Sequence, residues 1–144
     1  MIRRMTCEDL EEVALLEQKS FSDPWSINVY RQTLEIDGVI YLVSVEDNKI
    51  VSVCGVRNIV GVGEITNVMT DEAYRGRGLA YLTLQELIRC GKDIGVIDFT
   101  LEVRAGNTAA IRLYEKLGFE SEGIRPGYYE HPKEDALIMW KRNN

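Results

Sequence analysis

Two groups of residues have the types and spacing to do chemistry. Arg75-Gly76-Arg77-Gly78-Leu79-Ala80 lies between a strand-like run and a strongly amphipathic stretch. Its glycines let the backbone turn tightly and point successive N–H groups into one hollow, and a helix start adds about half a positive charge. Such a nest takes phosphate oxygens, and paired arginines in an otherwise acidic chain suit a pyrophosphate. A structural turn would explain the glycines equally well. No lysine follows as in a P-loop, and the third glycine of a dinucleotide fingerprint is missing. The second group is Glu102 and Tyr114. Glu102 ends a strand on the face opposite its apolar run, where it could accept a proton or simply pair with Arg104. Tyr114 stands on an Ile111-Tyr114-Leu117 stripe, where a core tyrosine is the default, although its hydroxyl tip can reach a reacting atom while the ring packs.

These residues need elements to hold them. Thr6, with Asp9 three residues on, predicts a helix start that Leu10, Val13 and Ala14 continue to Ser20. Pro24-Trp25-Ser26 predicts a turn and cap for a short second helix through Ile27, Tyr30 and Leu34, ending near Gly38. No strand is expected before these helices. Residues 39–45 and 50–60 predict a hairpin, and Gly61-Val62-Gly63 turns the chain into a third strand over 64–70 that carries polar residues. Residues 79–90, with Leu84, Leu87 and Ile88 on one face and Gly91 as the stop, form the helix behind the glycine loop. Over 96–103, Ile97, Phe99, Leu101 and Val103 face one way while Val96, Asp98, Thr100 and Glu102 face the other. Asn107 caps a helix that Gly118 ends, and 119–124 and 136–141 are the last strands; Pro24, Pro126 and Pro132 read as turn residues. The order predicts a mixed α/β sheet with helices on its faces.

Composition narrows the partners. A chain of 144 residues, 45% hydrophobic and 28% charged, fits one globular domain over 1–144. No apolar run approaches the roughly 20 residues a bilayer requires, and no apolar stretch follows the arginines near the N-terminus as in a signal peptide. A cytoplasmic location without a membrane partner is expected. The net charge of −6 repels nucleic acid and favours a cationic partner such as an amine or a basic peptide tail. Cys7, Cys54 and Cys90 offer neither a disulfide framework nor a CxxC pair, and read as reduced, buried thiols. With His131 as the single histidine, no metal site is expected.

Arg75-x-x-Gly78-x-Ala80 resembles the signature of the GNAT acetyltransferase superfamily, in which Gln or Arg opens the loop and Gly or Ala closes it. Further segments are similar to its ribosomal-protein alanine N-acetyltransferase (RimI-type) branch: Phe21-x-x-Pro24-Trp25-Ser26, Asn67-Val68-Met69-Thr70, Leu101-Glu102-Val103-Arg104-Ala105-Gly106-Asn107, Leu113-Tyr114-x-x-Leu117-Gly118-Phe119, Tyr128-Tyr129 and Glu134-Asp135-Ala136-Leu137-Ile138-Met139. The likeness spans nearly the whole chain. Ala80 is an allowed variant of the loop, and Gly106 stands where serine is common.

The resemblance implies the GNAT fold, a mostly antiparallel twisted mixed sheet with helices on both faces, and acetyl-CoA as cosubstrate. Arg75, Gly76, Arg77, Gly78, Leu79, Ala80 and Tyr81 would hold its pyrophosphate. Val68, Met69 and Thr70 would pair with the pantetheine arm, with the Val68 amide as oxyanion donor, and Asn107 would also contact CoA. An α-amine, of pKa about 8, is only about one-tenth neutral at pH 7, so a base assists it. Glu102 matches the proton acceptor and Tyr114 the donor to the departing thiolate. Tyr128 and Tyr129 would line the peptide site. No cysteine matches a catalytic segment, so transfer is direct, in a ternary complex. The implied acceptor is a protein N-terminus, an alanine of a ribosomal protein in that branch, and the implied state is a monomer. Another amine acceptor, or a non-catalytic acetyl-CoA-binding module, stands as the alternative.

Overall fold

Strands β2 (Val39–Glu46) and β3 (Lys49–Ile59) are apolar on both faces, so their hairpin needs cover on two sides. The computed structural model, which describes residues 1–143, supplies that cover. Helices α1 (Leu10–Ser20) and α2 (Ile27–Leu34) take one face: Leu10, Val13, Leu16 and Tyr30 pack on Tyr41, Val43 and Val53. On the other face lie α3 (Leu79–Asp93) and α4 (Thr108–Lys116), with Leu84, Leu87 and Tyr114 in one core with Ile40, Leu42, Cys54 and Val56. Each fully buried leucine contributes about 2 kcal/mol of transfer free energy to this closure.

The sheet has seven strands, adding β1 (Ile2–Arg4), β4 (Val62–Thr70), β5 (Asp98–Arg104), β6 (Glu120–Glu130) and β7 (Lys133–Lys141) in the order β1-β2-β3-β4-β5-β7-β6. All neighbours are antiparallel except β4 and β5, which run parallel. This is the expected mixed sheet with helices on both faces. No helix among the described residues is long and apolar enough to cross a membrane.

Five local expectations need correction. A strand does precede the helices: β1 pairs with β2 through Ile2, Arg3 and Arg4, a stretch too short and too charged to read as a strand. Gly91 does not stop α3; it lies within the helix, where the Phe99 ring would crowd a Cβ at 2.8 Å, and the turn falls at Gly95. Val96 and Ile97 precede β5 and escape its alternation, so Val96 is buried and Ile97 exposed. Pro126 lies within β6, where the register with β7 breaks between Arg125 and Tyr129, a bulge that tolerates a residue without an N–H. Of the three thiols, Cys54 and Cys90 are buried, whereas Cys7 is exposed.

Candidate active site

The site begins with an irregularity in β4. Val53 faces Met69 and Gly55 faces Thr66, so Cys54 is opposed by both Asn67 and Val68. Two residues against one make a β-bulge, and Asn67 adopts a left-handed φ of 56° that asparagine tolerates better than most residues. The extra residue flips the alternation: Ile65 and Val68 pack toward α3, Met69 toward α1. The Asp71 N–H bonds the Val51 carbonyl at 2.7 Å, which makes 51/71 and 53/69 the hydrogen-bonded pairs of this ladder. Thr70 and Val68 therefore turn their backbone groups away from β3. Met69, expected beside them, commits its backbone to β3.

Those freed groups meet a gap. β4 and β5 pair over three positions, Val62 with Asp98, Gly63 with Phe99 and Glu64 with Thr100, and then part. Between them opens a cleft of about 620 Å³ whose lining includes Val68, Thr70, Leu101, Glu102, Asn107 and Tyr114.

Beyond Thr70 the chain leaves β4 through a short 3-10 turn, Glu72–Tyr74, fixed by the Asp71 carboxylate accepting from the Ala73 N–H at 2.9 Å. The glycine loop follows. Gly76 and Gly78 have φ of 79° and 76°, and among the described residues, their chain neighbours aside, nothing lies within 4 Å of where their Cβ atoms would be. Gly78 is the N-cap of α3, so the first helical amides, from Leu79 and Ala80 on, open into that space. Arg75 reaches the Thr70 carbonyl at 3.3 Å and Arg77 covers the Tyr74 ring at 4.8 Å; neither has a carboxylate partner among the described residues. Open amides and uncompensated guanidiniums suit a diphosphate. A second hollow, about 700 Å³, adjoins the loop between Gly78, Tyr81 and Leu82 of α3 and Ala109, Arg112, Leu113 and Lys116 of α4. Arg112 and Lys116 were not singled out from sequence; their i, i+4 spacing was the available signal.

Glu102 and Tyr114 approach the cleft from opposite faces of the sheet. Phe99, Leu101 and Val103 point into the α3/α4 core, so alternation sends Glu102 to the other face. Its carboxylate lies 3.6 Å from Arg125 Nε of β6, and its negative charge beside Tyr128 pushes that phenol up to about 12. Arg104, the alternative partner, is drawn elsewhere: it pairs with Glu134 at 3.2 Å, bonds the Pro132 carbonyl at 2.8 Å and stacks on Tyr129. Tyr114, held by α4, is buried edge-on against Phe119, and burial pushes its hydroxyl pKa well up, which keeps the proton on the oxygen. That hydroxyl has no hydrogen-bond partner among the described residues. Asn107 caps α4 by accepting from the Ala110 N–H at 3.2 Å while lining the cleft, so capping and ligand contact are compatible.

Phe21, Tyr128 and Tyr129 form the rim on Glu102's face. Two backbone segments meet there, because His131 of the β6–β7 turn stands 3.3 Å from Asp23 of the α1–α2 loop.

This chain resembles known proteins over nearly its full length. Residues 10–119 match the pattern of the acetyltransferase (GNAT) family. A Bacillus subtilis (strain 168) protein, provisionally named a ribosomal protein bS18-alanine N-acetyltransferase, is 35% identical over 140 residues, covering 96% of this chain and 93% of its own. The crystal structure of the Escherichia coli ribosomal-protein-S18-alanine N-acetyltransferase superposes with a TM-score of 0.89 at 29% identity, covering 100% of this chain and 94% of that one. The fold also matches Arabidopsis thaliana NAA60 in complex with acetyl-CoA, with a TM-score of 0.86 at 18% identity over 97% of this chain and 96% of that one. The chain is an N-acetyltransferase and belongs to the acetyltransferase (GNAT) family.

Proposed function

We propose that the chain transfers the acetyl group of acetyl-CoA to the α-amine at a protein N-terminus, with the terminal alanine of ribosomal protein bS18 as acceptor. The observation that carries this reading is the convergence of Glu102 and Tyr114, from opposite faces of the sheet, on the cleft where β4 and β5 part. A direct transfer needs that topology, since acyl donor and amine must meet without sharing an entrance. The names of the relatives support the acceptor.

In this reading the amides and arginines of Arg75, Gly76, Arg77, Gly78, Leu79 and Ala80 hold the diphosphate, with Tyr81 and Asn107 beside them. Val68 and Thr70 pair with the extended pantetheine arm in place of the strand that β5 does not supply, and Met69 only lines the channel. Bound there, acetyl-CoA supplies an activated thioester. Glu102 takes the amine proton as nitrogen bonds to the carbonyl carbon, directly or through a water. The Val68 N–H faces the oxygen on which negative charge develops. Tyr114 gives its proton to sulfur as the carbon–sulfur bond breaks. Tyr128 and Tyr129 flank the incoming peptide. A cytoplasmic monomer acting on a basic ribosomal tail accords with the acidic surface and a net charge of −6.

The test is a panel of peptides beginning with Ala, Ser, Met or Gly, plus an N-terminally blocked lysine peptide, incubated with acetyl-CoA and read by mass spectrometry. Acetyl on the α-nitrogen, fastest with the alanine peptide, is expected. Acetyl on the lysine side chain alone would overturn the acceptor assignment.

A further inference from the structure

A buried carboxylate that no step of the reaction uses lies beneath the bulge. Glu17, near the end of α1, is 2% exposed. Its partners are all donors: the Trp25 N–H at 2.9 Å to Oε2, Asn67 Nδ2 at 3.1 Å to Oε1, and the Tyr30 hydroxyl, also to Oε1. Burial, and then Glu17 itself, push the Tyr30 phenol pKa far up, so the proton stays on Tyr30 and Glu17 remains the acceptor. Asn67 carries the connection onward, its Oδ1 accepting from the Tyr41 hydroxyl at 2.7 Å, and that hydroxyl stands 3.0 Å from Thr66 Oγ1. Tyr41 reaches the bulge because its register partner is Gly55, where a Cβ would come within 2.3 Å of the tyrosine ring.

A charge in this place is costly. Removing a carboxylate from water is unfavourable before its hydrogen bonds offset it, and an apolar side chain would pack a helix on a sheet without that cost. What the carboxylate adds is direction. Its three bonds tie the only left-handed residue of β4, Asn67, to the α1–α2 loop that carries Phe21 on the acceptor rim.

We infer that Glu17 is a positioning residue for acyl transfer: through Asn67 it holds the bulge so that the Val68 amide stays aimed into the cleft, and through Trp25 it fixes the acceptor-side loop against the same anchor. The inference rests on the reading above in one respect, the role of the Val68 amide as oxyanion donor.

Two variants test it. In Glu17→Gln the side-chain amide must face one of three donors with a fourth; Asn67→Gly keeps the left-handed backbone accessible and deletes the contact. Active sites are counted by calorimetric titration with CoA, so misfolded protein does not enter the rates. Both variants are expected to lose about tenfold or more in kcat per CoA-binding site, with acetyl-CoA affinity within about twofold of wild type, because a misaimed oxyanion donor acts on the transition state. The double variant is expected to be no slower than the slower single. The slow hydrolysis of acetyl-CoA without any amine should fall in the same proportion, since water attacks the same carbonyl. Unchanged hydrolysis per site in both variants, or a loss confined to acetyl-CoA affinity, would overturn the inference. A wrong acceptor shows itself differently: the wild type then fails on the peptides, while the hydrolysis comparison still decides the role of Glu17.

Discussion

Arg125 Nε stands 3.6 Å from Glu102 Oε1, so the carboxylate meets a cation from β6, across the sheet from β5 beyond β7. Both side chains are partly exposed, and such a pair contributes at most about 1 kcal/mol. In the proposed reaction it is weak enough to part when the amine enters, so Glu102 would exchange Arg125 for substrate.

Glu102→Gln is expected to lower kcat/KM by about 100-fold and to displace the pH–rate profile upward, because the amine must then lose its proton unaided. Acetyl-CoA affinity should stay as it is. The same substitution removes the carboxylate charge that helps lift Tyr128 to about 12, so that phenol should titrate back toward its ordinary 10.0. Spectrophotometric titration reads this directly, and a tyrosine still titrating near 12 would contradict the contact.

Tyr114→Phe separates chemistry from packing. The hydroxyl has no partner among the described residues, so its removal should change unfolding free energy by less than about 1 kcal/mol, whereas kcat should fall by about 10-fold to 100-fold if it protonates the leaving sulfur. Chemical denaturation and steady-state kinetics on one preparation decide it. A variant with unaltered kcat would assign Tyr114 to the core alone.

Gly78→Val should weaken CoA binding by about tenfold or more. At a φ of 76° an L residue is strained by about 1–2 kcal/mol, and the branched side chain would project into the open space around its Cβ, where the loop's amides point. Calorimetry with CoA gives the answer, and an unchanged Kd would place the diphosphate elsewhere.

Arg3→Met should bring acid unfolding to higher pH. A hydrogen bond from Arg3, and then one from the Thr6 N–H, hold the Asp9 carboxyl below its ordinary 3.8 despite burial. A depressed carboxyl contributes stability that is present above its unfolded pKa and lost as pH falls through the folded one. With Arg3 37% exposed, screening limits the loss at neutral pH to about 1 kcal/mol. A circular-dichroism acid titration that leaves the midpoint in place would refute the linkage.

The order of elements was readable because most are long and regular. The alternation from Asp98 to Glu102 placed Glu102 opposite the apolar run without any structure, and Asn107 and Gly118 marked both ends of α4. β1 was hidden because three residues, two of them arginine, carry no period until a neighbour pairs with them. The parts of the candidate site that the sequence could propose were those encoded in contiguous segments, namely the glycine loop, Glu102 and Tyr114, which the fold brings to one cleft. Glu17 and Asn67 are 50 residues apart and meet through a bulge, and Arg125 reaches Glu102 only across a folded sheet. Contacts of that kind leave no local pattern in a chain.

The three-rung seam between β4 and β5 also divides labour. In the proposed reading, donor recognition is written on one side of the sheet and recipient recognition on the other, with a shared window between them. On that reading, remodelling the rim around Phe21 and Tyr128 would redirect the enzyme to new recipients while the coenzyme grip stays untouched.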